Sequence, residues 1–113
     1  MADHISIRDA SGTWVVRASG AVVGESTTAL ELVEGGYAPV IYFPRADIGM
    51  SFLEESATTT ECPHKGTATY YSVVGPDGEA RDAAWSYENP KNGVSEIAGH
   101  IAFHTDRVAV EKL

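Results

Sequence analysis

The sequence predicts a mainly β fold: a single compact domain of antiparallel hairpins over residues 1–113, with one or two short helical turns. Three observations predict it. Apolar residues recur at every second position in short runs, the period of half-buried strands. Glycine, proline, asparagine and aspartate punctuate those runs where the chain must turn. A length of 113 residues with 43% hydrophobic and 21% charged content matches one ordinary globular domain with a core of its own.

The first predicted hairpin pairs TWVVRA (13–18) with AVVGE (21–25) around Ser19-Gly20, where glycine supplies the positive φ of a two-residue turn. LELV (30–33) and VIYF (40–43) form a second pair across a longer connection containing Gly35-Gly36 and Pro39. Pro44-Arg45-Ala46-Asp47 can start one helical turn. The clearest hairpin is GTATYYSVV (66–74) with EARDAAWSY (79–87) about Gly75-Pro76-Asp77-Gly78. Pairing around that turn puts Tyr70, Tyr71, Trp85 and Tyr87 in the half of the ribbon far from its tip, near Lys65. Val94–Ala98 can form a second helical turn ending at Gly99. A last pair, HIAF (100–103) and RVAV (107–110), joined by His104-Thr105-Asp106, is expected to close the fold.

Eight basic against sixteen acidic residues give a net charge of −8, and the basic residues are scattered. A chain without a positive field or patch is a poor partner for phosphate backbones or anionic lipid, so neither nucleic acid nor membrane is expected. No apolar run approaches the roughly 20 residues of a membrane span, and the first residues lack a secretory pattern. Cys62 is the only cysteine, which suits a reducing, cytoplasmic compartment. The sequence sets no oligomeric state.

Chemistry concentrates in TTTECPHKGTATYYS (58–72). Cys62 is a candidate nucleophile because His64 and Lys65 lie close enough in sequence to stabilise a thiolate; the plain alternative is a packed, inert thiol. A metal site is not expected: one Cys and four His offer no C-x-x-C pair, and on a strand the His100–His104 spacing spans about 13 Å. Lys65-Gly66-Thr67 reverses the order of a phosphate-binding loop. If Arg45 converges with Lys65, the two form an anion site; otherwise Arg45 pairs with Asp47 or Glu61. Tyr70 and Trp85 beside Lys65 make an apolar wall with a cationic end, the usual make-up of a small-ligand pocket. Ser56 and Thr58–Thr60 can add hydroxyl donors or satisfy turn backbone. Glu54 and Glu55 are adjacent and point to opposite faces of a strand, which leaves no carboxylate pair for acid–base work.

PVIYFPRADI (39–48), TTTECPHKGTATYYSV (58–73), DAAWSYENP (82–90) and IAGHIAFHTDRVAV (97–110) together resemble the bacterial domain of unknown function numbered 427, over a region of about residues 14–110. The resemblance implies a compact β domain on the β-tent (Mss4-like) scaffold. It implies that Pro44, Arg45, Cys62, Lys65, Gly66, Tyr70, Trp85, Tyr87 and Phe103 occupy motif positions, and it brings no established reaction. The zinc-holding cysteine pairs of β-tent proteins are absent here, and His64 stands where the family more often has an aromatic residue. The resulting expectation is a cytoplasmic domain that binds a small anionic or aromatic-bearing metabolite through Arg45, Cys62, Lys65, Tyr70 and Trp85, with no metal or cofactor. The alternatives are a protein-interaction module and a cofactor-independent enzyme using Cys62 or Lys65.

Overall fold

A computed structural model describes residues 4–113. The chain is mainly β. In order, the strands are β1 (Ile5–Asp9), β2 (Trp14–Ala18), β3 (Ala21–Ser26), β4 (Leu30–Glu34), β5 (Val40–Tyr42), β6 (Leu53–Cys62), β7 (Gly66–Gly75), β8 (Gly78–Ser86), β9 (Ala102–Phe103) and β10 (Ala109–Lys112). Short 3₁₀ turns cover Arg45–Asp47, Met50–Phe52 and Asn92–Ile97. The strands form three antiparallel sheets with the orders β1-β4-β5, β10-β2-β3 and β6-β7-β8-β9.

Local turn chemistry explains the hairpins. Ser19 and Gly20 both have positive φ, 53° and 79°, as a tight β2–β3 turn requires. Gly75 pairs with Gly78, leaving Pro76 and Asp77 as the β7–β8 turn. These two tips dock on each other: Asp77 N donates to Ser19 O at 3.0 Å and Ser19 Oγ to Val73 O at 3.1 Å. A β-carbon at Gly75 would lie 2.4 Å from Ser19 O, so only glycine allows that approach.

The β7–β8–β9 ribbon is covered on both faces. Tyr71, Val73, Ala84 and Phe103 join one core cluster with Val16, Val23, Phe43 and Ile101. Side chains one residue out of phase point the other way. Ala68, Tyr87 and Ala102 join Leu32, Tyr42, Val94 and Ile97 in a second cluster, against which Tyr70 and Trp85 pack. The register fixes this, since Tyr70 faces Trp85, and Trp85 faces Ala102.

One expected pairing is not formed. Residues 100–103 and 107–110 do not make a hairpin with each other. Ala102–Phe103 pairs with β8, and β10 pairs with β2. Each segment gains more by adding to a sheet already built than by forming a two-stranded ribbon, which is marginal alone.

Candidate functional site

The 62–66 segment is the turn of the β6–β7 hairpin, with Cys62 paired to Gly66 and Lys65 N donating to Cys62 O at 3.3 Å. Gly66 adopts φ +116°, a conformation open in practice only to glycine. The turn is tied down from outside by Lys91 N, which donates to Lys65 O at 3.0 Å. As a result Lys65 points inward and is only 9% exposed.

Lys65 lies in the wall of a cavity of about 400 Å³. The β4 strand contributes Leu32 and Glu34, β5 contributes Val40 and Tyr42, β6, β7 and β8 contribute Cys62, Tyr70 and Trp85, and Tyr87 follows just after β8. His104 and the loop residues Tyr37 and Ala38 complete the lining. The rings are in mutual contact. Trp85 meets Tyr42 edge-on at 6.4 Å, Tyr70 stacks on His104 at 6.1 Å, and the Trp85 and His104 centroids are 4.6 Å apart. Trp85 Nε1 donates to Tyr42 Oη at 3.3 Å, and Thr60 Oγ1 donates to Tyr70 Oη at 3.3 Å.

The electrostatics are balanced. Lys65 Nζ donates to Glu34 Oε1 at 2.6 Å, and His4 Nε2 lies 3.4 Å from Glu34 Oε2. The hydrogen bond from Lys65 holds the Glu34 carboxyl below its ordinary range. Burial pushes the Tyr42 hydroxyl up to about 12 and raises that of Tyr87, so both remain neutral donors. Burial, reinforced by Arg107, lowers the His104 pKa and favours the uncharged ring. The cavity therefore combines a neutral aromatic surface with one internally compensated ion pair. An ammonium carries three donors, and Glu34 is the one side-chain acceptor of Lys65 among the described residues. The remaining donors can serve a ligand.

Cys62, Lys65, Tyr70 and Trp85 thus line one hollow, and Arg45 does not. Its Nε donates to Gly99 O at 3.0 Å, its Nη2 bonds Glu88 at 2.5 Å, and its guanidinium lies over the Tyr71 ring at 5.9 Å. Tyr71, Ser86 and Glu88 are one residue out of phase with Tyr70, Trp85 and Tyr87, so Arg45 sits on the opposite face of the sheet. The expected Arg45–Lys65 anion site is corrected on that ground. Arg45 bonds Glu88, not Asp47 or Glu61.

The partners expected for a Cys62 thiolate are engaged elsewhere: Lys65 with Glu34, and the His64 ring edge-on against His4 at 4.5 Å. Among the described residues no group of three or more His, Cys, Asp or Glu is placed to hold a metal ion. The outer strand β6 carries a bulge between Glu55 and Thr59 and exposed carboxylates at Glu54, Glu55 and Glu61, devices that discourage edge pairing with another chain. Thr58 Oγ1 donates to Asp82 at 2.8 Å, away from the cavity.

Sequence reasoning did not reach Glu34, Tyr42 or His104 as site residues. The signal for Glu34 was slight: an acid at a strand end, just before the Gly35-Gly36 turn.

The architecture is consistent with a β-tent-like scaffold. No curated protein matches the chain. The sequence model of a family described as a domain of unknown function (DUF427) matches residues 6–112. The chain belongs to the DUF427 family.

Proposed function

We propose that this domain binds a small ring-bearing molecule, with its planar body against Tyr70 and Trp85 and its polar head at the Lys65–Glu34 pair. The observation that carries this reading is the presence of that pair and those rings in one cavity of about 400 Å³, the composition and size of a small-ligand pocket. Of the two chemistries expected from the sequence, the aromatic one is favoured over the purely anionic one. Glu34 already neutralises Lys65, so an added carboxylate gains little and meets like charge. A carboxamide answers both groups, its oxygen accepting from Lys65 and its N–H donating to Glu34. The setting is cytoplasmic, which suits a chain whose single cysteine lines the pocket.

The test uses benzamide and benzoate as probes, with the indole N–H of Trp85 followed by NMR and alkylation of Cys62 by iodoacetamide as a second readout. Benzamide is expected to shift the Trp85 signal and slow alkylation, more strongly than benzoate, and both effects are expected to vanish in Lys65→Met. A Cys62 rate unprotected by either probe, with an unmoved Trp85 signal, overturns the proposal.

A further inference from the structure

We infer that the ligand is an elongated amphiphile, whose apolar tail extends past Trp85 into a second cavity that continues the first. The inference rests on the ring-binding reading above and adds the shape and class of the molecule.

The second cavity also measures about 400 Å³. Ala38, Val40, Trp85 and His104 line both cavities, so the two spaces adjoin across these four residues, which we take as the waist of one elongated site. Trp85 is only partly buried, as a ring with a free surface at such a junction must be. Past these four residues the second cavity is lined by the apolar side chains of Trp14, Ile41, Phe103 and Val110 together with Glu31 and Thr105. The compensated charges of Lys65 and Glu34 belong to the first cavity alone.

This asymmetry orients the occupant. A polar head is matched by Lys65 and Glu34, a ring by Tyr70 and Trp85, and a hydrocarbon chain by Trp14, Ile41, Phe103 and Val110. The class that fits is an aryl carboxamide, or a comparable flat polar head, bearing a linear alkyl tail opposite the head.

The two tryptophans supply the readout, because Trp14 lines only the second cavity and Trp85 lines both. The experiment titrates 4-alkylbenzamides, from methyl to pentyl, into the labelled protein and follows both indole signals. Affinity should rise about fourfold per added methylene, the increment expected for burying a CH₂. The Trp14 signal should move only for the longer tails. Thr105→Trp and Val110→Trp, which fill the second cavity from its turn and from β10, should flatten the series while leaving 4-methylbenzamide affinity unchanged; two variants are used in case one fails to fold. A flat wild-type series with Trp14 unmoved, while Trp85 still responds, overturns the extension and leaves ring binding intact. A slope retained in both filled variants overturns it as well. Silence of Trp85 toward every member overturns the ring-binding reading on which it stands.

Discussion

Lys65 Nζ lies 2.6 Å from Glu34 Oε1, and this single contact joins the β6–β7 turn to the end of β4 in a different sheet. Both side chains are well shielded, at 11% and 22% exposure. Removing one member of a shielded pair strands the other. Lys65→Met should therefore destabilise the fold by about 2 kcal/mol, less than a fully buried pair because Glu34 keeps some water. The double variant Lys65→Met with Glu34→Leu should recover most of that loss. Urea unfolding of the three proteins checks it, and a double variant no better than the single one contradicts it.

The same pair sets an acid limit. The Glu34 pKa is lowered on folding, so its contribution is fully present above the ordinary glutamate range. It is lost as pH falls through the depressed folded value. Glu34→Gln should be less stable than the wild type near neutrality, with the gap closing in acid. Melting temperatures over a pH series measure the gap; a difference constant with pH is the contrary result.

His104 imposes a second dependence at milder pH. Its folded pKa is lowered from 6.5 by burial and by Arg107, so the unfolded chain takes up the proton more readily. Stability from this residue is present above about pH 6.5 and declines as pH falls through that value. Protonation places a cation against the Tyr70 and Trp85 rings. Histidine NMR titration should give His104 a midpoint below that of an unfolded reference peptide, with Trp85 shifting in step.

Arg45 separates stability from binding. Arg45→Ala loses bonds to Gly99 O, Ser86 and Glu88, worth about 1–2 kcal/mol together at a partly exposed site. It should leave benzamide binding at Trp85 unchanged, because the guanidinium is on the far face of the sheet. Loss of probe binding in a folded Arg45→Ala protein would contradict this placement.

Two glycines make a matched pair. Gly75→Ala puts a β-carbon 2.4 Å from Ser19 O and should cost about 2 kcal/mol by parting the docked hairpin tips. Gly36→Ala meets nothing within 4 Å and should be neutral or slightly stabilising through reduced freedom of the unfolded chain. Chemical denaturation compares them directly.

Much of the β architecture was legible along the chain. Alternation and turn glycines are local, so the hairpins around Ser19-Gly20 and Pro76-Asp77, the Leu30–Glu34 and Val40–Tyr42 pair, and the helical turns near residues 45 and 94 follow from neighbouring residues alone. The nearness of Tyr70, Trp85 and Lys65 also follows, because one turn sets the register of β7 against β8. The β6 strand was not legible: as an outer strand it buries little, and LEESATTTEC shows no apolar alternation. Partner choice was not legible either, since the pattern at 100–110 marks strands without saying which sheet edge receives them.

Only the tertiary structure decided the site. Glu34 and Tyr42 reach the cavity from a separate sheet, across contacts that no local spacing encodes. Arg45 faces the other side of the sheet because its direction depends on the tertiary placement of its 3₁₀ turn, which contacts β3, and a shift of one residue along a strand reverses which way a partner points. The sequence by itself determined the strands and the rings they carry; packing between sheets decided which charges those rings meet.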